Sequence, residues 1–196
     1  MILVVEDSRT FGSMIKKRLE AKQDDEVLWL QTYAEAKAAL DEDASRFSVA
    51  LLDLTLPDAP DGEVVDLATS CDIPSIVLTA SLDEDQRDRM WEKKVCDYVL
   101  KRGPHDMDYV VSLVNRLSRN RKVKVLVVYD SGMMRKYVVD LLRVHRYQVL
   151  EAGDGLEALN VLKENRDIRM IVTDYNMPNL DGLELTERIR RSLPKG

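Results

Sequence analysis

The sequence predicts an α/β protein in which a doubly wound, five-stranded parallel sheet is followed by a partial second copy of the same fold. Across the first 119 residues, short aliphatic runs alternate with amphipathic stretches. This alternation is typical of parallel strands joined by right-handed crossovers. Runs such as Ile2–Val5 and 75–78 are almost wholly apolar, as expected for strands buried on both faces. Two motifs also recur about 120 positions later, which indicates a duplicated domain.

Five strands are expected in the first copy, with helices between them. Their short apolar runs place them at Ile2–Val5, Val27–Leu30, Val49–Asp53, Ser75–Thr79 and Tyr98–Leu100. The first helix is predicted from an apolar residue at every fourth position, on one helical face: Phe11, Ile15 and Leu19. The last helix is predicted from the same spacing at Val110, Val114 and Leu117. These elements together complete one domain.

The second copy repeats the motifs of the first. Residues 125–131 (VLVVYDS) match residues 2–8 (ILVVEDS), and residues 172–178 (VTDYNMP) match residues 51–57 (LLDLTLP). A basic run lies between the copies. The expected organisation is therefore a complete domain at 1–119, a linker at 120–122 and the N-terminal portion of a second domain at 123–196.

Composition excludes several classes of protein. The net charge is -6 and the pI about 5.1, which argues against direct binding of nucleic acid because such binding needs a basic face. No apolar run approaches the roughly 20 residues needed to span a bilayer, and the first residues lack the pattern of a signal peptide. We therefore expect a cytoplasmic protein without membrane association. Two cysteines are too few for a disulfide framework.

Polar side chains end or directly follow four of the five predicted strands. They are Glu6 and Asp7, Asp53, Thr79 and Lys101. In an open parallel sheet, ligands bind outside the carboxyl ends of the strands, so these groups are expected at one rim. Clustered carboxylates repel each other unless a cation lies among them, and oxygen ligands suit Mg²⁺. A lysine and a hydroxyl nearby suit a phosphoryl group, and an aspartate can serve as the nucleophile.

On these residues, positions 1 to about 119 resemble the receiver domain of two-component response regulators, which has a flavodoxin-like fold. The resemblance implies a Mg²⁺ site formed by side chains and one backbone carbonyl: Glu6, Asp7, Asp53 and the carbonyl of Thr55. It implies that Asp53 is the phosphoacceptor and that Lys101 binds the phosphoryl group. It further implies a switch made of the Thr79 hydroxyl and the Tyr98 ring.

Two departures from the receiver pattern stand out. Receivers usually place proline after the conserved lysine, whereas Arg102 follows here. The loop from Asp53 to Gly62 is one residue longer than its counterpart from Asp174 to Gly182. We expect both changes to alter the loops around the site but not the metal ligands.

The second copy resembles the first half of another receiver, of the chemotaxis type. Asp130 resembles the directly ligating acid and Asp174 the acceptor, but Tyr129 replaces the first acid of the pair. The given sequence ends before a fourth strand. We therefore expect Asp174 to be inactive in this chain, and the strand near 168–174 to be an open apolar edge. Either the natural protein continues or this edge pairs with another chain.

The resemblance implies a response regulator in a two-component phosphorelay. A sensor histidine kinase or a histidine phosphotransfer protein would phosphorylate Asp53 with Mg²⁺, the receiver itself catalysing phosphorylation and dephosphorylation. Two receivers in series suggest a diguanylate cyclase output beyond residue 196. One alternative is a phosphorelay carrier or phosphate sink without an output. Another is a receiver used as a platform for homodimerisation.

Overall fold

The computed structural model describes residues 1–22, 25–80 and 93–192. The chain divides into two compact units, of which the first is Met1–Ser118 and the second begins at Arg119. Among the described helices, none is both long and apolar enough to cross a lipid bilayer.

The first unit alternates strands and helices in chain order. Its elements are β1 (Ile2–Val5), α1 (Arg9–Lys22), β2 (Val27–Leu30), α2 (Tyr33–Asp43), β3 (Val49–Asp53), α3 (Glu63–Ser70), β4 (Ser75–Thr79), β5 (Asp97–Leu100) and α4 (Pro104–Asn120), the last of which ends in the second unit. The helix predicted between β4 and β5 falls largely on residues 81–92, outside the described part of the chain.

The sheet of the first unit has the order β2-β1-β3-β4-β5, and every pairing is parallel. The predicted five-stranded parallel sheet is therefore confirmed. Val5 pairs with both Leu30 and Leu52, and Thr79 pairs with Leu100. This register brings the carboxyl ends of the strands to one rim.

Burial explains why these segments form strands and helices. Every residue of β1, β3 and β4 is buried, as expected where helices cover both faces of a parallel sheet. On α1, Ile15 and Leu19 are buried as the helical spacing predicts. The start of α2 is fixed by a capping box, in which Thr32 Oγ1 accepts from the Glu35 N–H and the Glu35 carboxylate accepts from the Thr32 N–H.

The second unit forms a smaller sheet of the same kind. Its elements are β6 (Lys124–Val128), α5 (Gly132–Val144), β7 (Gln148–Ala152), α6 (Gly155–Glu164), β8 (Ile168–Thr173) and α7 (Gly182–Ser192). The strands are parallel, in the order β7-β6-β8. Within the described ranges, β8 pairs with β6 alone, and its residue Met170 is exposed.

Candidate functional site

Three carboxylates meet at the rim of the first sheet. Glu6 and Asp7 directly follow β1, and Asp53 is the last residue of β3, which lies beside β1. Ligand oxygens of the three side chains lie within 4.8 Å of one another. Glu6 is wholly buried, Asp53 is 6% exposed and Asp7 is exposed. Two of the three carboxylates are therefore enclosed by the fold, and the third, that of Asp7, is open to solvent.

Lys101 joins two of these acids. Its Nζ lies 2.7 Å from Glu6 Oε2 and 2.6 Å from Asp53 Oδ2. The Lys101 backbone N–H donates to the Thr79 carbonyl at 2.8 Å, which ties the lysine to the end of β4. The Phe11 ring lies 5.0 Å from Nζ, in a cation–π arrangement. The helical spacing of Phe11 predicts that its ring packs in the core, but it does not predict the contact with the Lys101 ammonium.

The buried Glu6 carboxyl is poorly supplied with hydrogen bonds. Oε1 accepts from the Ser8 N–H at 3.3 Å. Apart from its ion pair with Lys101, Oε2 accepts no well-formed hydrogen bond within the described structure. Burial raises the pKa of Glu6 to about 7. The contact with Lys101 lowers this pKa, and the negative charge of Asp53 raises it. A buried oxygen with spare acceptor capacity beside two other carboxylates suits a hard divalent cation, so the donor set fits Mg²⁺.

Thr55 and Thr79 lie at the same rim, whereas Tyr98 lies further back along its strand. Thr55 is exposed, and its N–H donates to Asp53 Oδ1 at 3.3 Å. Thr79 is buried at the end of β4. Tyr98 is half-buried on β5, opposite Val77, and packs against the core. Burial, and then the charge of Asp66, raise the pKa of the Tyr98 hydroxyl, so Tyr98 remains a neutral phenol at physiological pH.

Both departures from the receiver pattern have a structural counterpart. In the longer loop after β3, Asp58 accepts hydrogen bonds from the Tyr33 and Ala34 N–H groups at 2.9 and 3.0 Å, which lowers its pKa and anchors the loop to the start of α2. After Lys101, the Arg102 N–H, which a proline would lack, donates to the Leu100 carbonyl and to Asp106 Oδ2. The spacing of residues alone does not reveal either contact.

Trp29 is a further residue that the motifs do not predict. It lies on β2, and its Nε1–H donates to the backbone carbonyl of Glu6 at 2.9 Å. A tryptophan in an aliphatic strand reads as core packing, so no signal in the sequence separates it from its neighbours. The contact places an indole N–H against the peptide that joins Glu6 to Asp7.

The second unit brings its own polar residues to the equivalent rim. Tyr129 and Asp130 follow β6, and Asp174 follows β8, with its N–H donating to the Val128 carbonyl at 2.9 Å. Asp130 is exposed and Asp174 half-buried. The Tyr129 carbonyl accepts from Arg135 Nη1 at 2.6 Å. Among the described residues, the second rim thus has two acids where the first has three.

Comparison with known proteins agrees with this geometry. The family model for the response regulator receiver domain matches residues 125–196. Two solved structures described as two-component system response regulator/GGDEF domain proteins are each 38% identical, with TM-scores of 0.89 and 0.88, and in each case the match covers 99% of this chain and 78% of the solved one. The HemR receiver domain from Leptospira biflexa is 28% identical with a TM-score of 0.50, over 57% of this chain and 89% of its own.

Curated relatives match over shorter segments. A chemotaxis protein CheY homolog from Campylobacter jejuni is 44% identical over 69 residues, or 35% of this chain and 53% of that protein. The sensor histidine kinase RcsC of Escherichia coli strain K12 is 44% identical over 75 residues, or 38% of this chain and 8% of the kinase. The match thus spans about half the length of the chemotaxis protein. Taken with the fold and the rim of acids, these similarities show that the chain belongs to the receiver-containing response regulators of two-component systems.

Proposed function

We propose that the first unit accepts a phosphoryl group on Asp53 and passes the signal on as a conformational switch. The observation that carries this proposal is the position of Lys101, whose ammonium contacts the buried Glu6 and Asp53 side by side. A fixed cation beside a candidate nucleophile is what phosphoryl transfer needs, because that reaction depends on positioning and on charge neutralisation.

The proposed reaction uses groups at this rim. A carboxylate oxygen of Asp53 attacks phosphorus, the P–N bond of a phosphohistidine on the donor protein breaks, and the imidazole nitrogen keeps the electron pair. Glu6, Asp7, Asp53 and the Thr55 carbonyl would hold Mg²⁺, which when bound supplies positive charge to the carboxylates and to the phosphoryl oxygens. Lys101 would pair with one phosphoryl oxygen and the Thr79 hydroxyl would donate to another.

The proposed readout passes through Tyr98. A phosphoryl group adds roughly two negative charges at neutral pH. It would draw the Thr79 hydroxyl towards Asp53, and the Tyr98 ring, already half-buried on the neighbouring strand, would settle further inward. This links a local change in charge to a side chain with two positions.

We further propose a division of labour between a receiver at 1–119, a linker at 120–122 and a second receiver portion at 123–196 that does not accept phosphate in this chain. The phosphodonor would be a sensor histidine kinase or a histidine phosphotransfer protein in the cytoplasm. Two solved relatives at 38% identity are described as GGDEF domain proteins, which supports a diguanylate cyclase as the output of the natural protein.

Mass measurement tests the acceptor assignment. We expect the protein to gain one phosphoryl group from acetyl phosphate in Mg²⁺, and none in EDTA. Asp53→Asn should abolish the gain, whereas Asp61→Asn, which removes an exposed acid from the same loop, should leave it intact. A phosphoryl group mapped to the first unit of the Asp53→Asn protein would overturn the assignment.

A further inference from the structure

The backbone carbonyl of Glu6 accepts a hydrogen bond from a side chain on β2, which is called the tether below. This carbonyl belongs to the peptide that joins Glu6 to Asp7, so it lies between the two adjacent acids of the site. Trp29 Nε1–H donates to it at 2.9 Å, and on the other side of the same residue the Glu6 N–H donates to the Leu30 carbonyl at 3.0 Å. Strand β2 therefore holds the backbone of Glu6 at both ends.

The tether depends on a glycine in α1. Gly12 is buried, and a Cβ added there would lie 2.3 Å from Trp29 Cε2 and 2.5 Å from Nε1. Real Cβ atoms do not approach ring atoms this closely, so any other residue at position 12 would displace the indole. Gly12 and Trp29 thus form one unit, in which the absence of a side chain on the helix makes room for a large one on the strand.

The second unit tethers the equivalent carbonyl from the opposite element. Tyr129 occupies the position of Glu6, and its carbonyl accepts from Arg135 Nη1 at 2.6 Å. Arg135 follows Asp130 by five residues, as Gly12 follows Asp7. Glu151 pairs with Val127 in the register that Trp29 takes with Val4, and its carboxylate lies 3.5 Å from Arg135 Nε.

The two units therefore satisfy one backbone acceptor in two ways. In the first unit the donor comes from the strand and the helix supplies glycine. In the second unit the donor comes from the helix, and the strand supplies a carboxylate that holds it. The backbone carbonyl is tethered in both units, although the residues on the helix and on the strand differ. The feature that the two units share is therefore the hydrogen bond to this carbonyl.

We propose that Trp29 is a positioning residue for the metal site of the first unit, and this rests on the proposed function of that site. The indole N–H fixes the peptide between Glu6 and Asp7, so that both carboxylates face Asp53. Loss of the N–H leaves that peptide free to rotate. A hydrogen bond of this kind is worth about a three- to tenfold change in an equilibrium constant, and we expect Mg²⁺ binding to weaken by that factor.

Trp29→Phe isolates the N–H, because phenylalanine keeps an aromatic ring over Gly12. Calorimetric titration with Mg²⁺ should show a three- to tenfold higher Kd than for the wild type, with an unchanged fold by circular dichroism. In EDTA, NMR should show slow exchange of the Trp29 indole proton, identified by its loss in Trp29→Phe. An indole proton that exchanges as fast as that of free tryptophan, or a Trp29→Phe protein with wild-type affinity, would overturn the inference.

A transplant from the second unit gives the matched rescue. Trp29→Glu alone should weaken Mg²⁺ binding, and Gly12→Arg combined with Trp29→Glu should recover it, because the arginine supplies the donor from α1. A folded double variant that stays weak would show that the two pairs are not equivalent and would overturn the proposal. Absence of Mg²⁺ binding by the wild type would instead refute the proposed function of the site.

Discussion

Glu6 Oε2 and Lys101 Nζ lie 2.7 Å apart, although the two residues are near opposite ends of the first unit's sequence. The Glu6 side chain is wholly buried. Lys101 is also the partner of Asp53. When its three acids are ionised, the cluster that also includes Asp7 has a net negative charge even with this ammonium in place. The stability of the metal-free protein therefore depends on how this negative charge is balanced.

The first prediction concerns the stability of the metal-free protein. Because burial raises the pKa of Glu6 from an ordinary 4.5 to about 7, protonation of Glu6 favours the folded state. Its contribution is complete below about pH 4.5 and is lost as the pH rises through about 7. The free energy of unfolding of Glu6→Gln relative to that of the wild type should therefore rise from pH 5 to pH 8, by on the order of 2 kcal/mol.

Urea unfolding in EDTA at a series of pH values measures this gain. Glu20→Gln makes the same chemical change at an exposed position of α1 and should stay within about 0.5 kcal/mol of the wild type throughout. A Glu6→Gln advantage that is the same at pH 5 and pH 8 would contradict the prediction.

The second prediction concerns Lys101. Lys101→Met leaves Glu6 and Asp53 side by side without their shared cation, so the metal-free protein should lose roughly 2–3 kcal/mol of stability. It should also fail to take up a phosphoryl group from acetyl phosphate. Lys16→Met removes a partly exposed lysine whose ion pair with Glu20 spans 3.7 Å, and it should cost less than about 1 kcal/mol. Equal losses in the two variants would count against a special role for Lys101.

The third prediction concerns the switch. Fluoroberyllate with Mg²⁺ mimics a phosphoryl group on Asp53, and amide exchange should then slow in residues 75–80 and 97–101. Residues 36–43 of α2, which follows the edge strand β2 at the opposite edge of the sheet from β5, should not change. Thr79→Ala should remove the slowing, because in the proposed readout the Thr79 hydroxyl links Asp53 to Tyr98. Wild-type slowing in Thr79→Ala would rule out this route.

The fourth prediction is that Asp174 is not phosphorylated in the chain of this sequence. Tyr129 stands where the first unit has Glu6, so among the described residues Asp130 and Asp174 are the acids that follow β6 and β8 at the second rim. In Asp53→Asn protein, acetyl phosphate should give no stoichiometric acyl phosphate at Asp174. Adding Tyr129→Glu alone should not restore labelling, since within residues 125–192 no lysine is seen to pair with Asp174 as Lys101 pairs with Asp53. Full labelling of Asp174 in either variant would refute this.

The fifth prediction concerns packing in the second unit. A Cβ on Gly182 would lie 2.1 Å from the Asp174 backbone oxygen, which cannot move aside easily. Gly182→Ala should destabilise residues 125–192 by roughly 1–3 kcal/mol, seen as faster amide exchange. Gly132 is likewise the first residue of its helix, but a Cβ added there would lie 3.9 Å from Arg135 Nη2, at ordinary contact distance. Gly132→Ala should therefore leave exchange unchanged, and equal effects would show that the close approach does not matter.

Much of the first fold follows from the sequence because buried parallel strands are unbroken aliphatic runs. Four strand ranges agree with the structure to the residue, and the fifth begins at Asp97 instead of Tyr98. Asp97 escaped the prediction because a carboxylate is unusual in a strand. Here it is half-buried, with Oδ1 accepting from the Tyr98 N–H and Oδ2 from the Tyr109 hydroxyl.

The candidate site was predictable in its residue types but not in its contacts. Strand order brings the ends of β1, β3 and β4 to one rim, so the meeting of Glu6, Asp53 and Thr79 follows from topology. The complete burial of Glu6 depends on side-chain packing across elements, as do the Phe11 ring beside Lys101 and the Trp29 indole behind the acids. Spacing along one chain does not encode such contacts.

The absence of a side chain at Gly12, where a Cβ would overlap the Trp29 ring, also limits how segments of the two units could be exchanged. A crossover between positions 12 and 29 joins the helix of one copy to the strand of the other. One product pairs glycine with glutamate and leaves the carbonyl without either donor; the other pairs arginine with tryptophan and forces the two side chains into the same space. We therefore expect a chimaera of the two units joined between these positions to lose the tether, whereas exchanging both positions together should keep it.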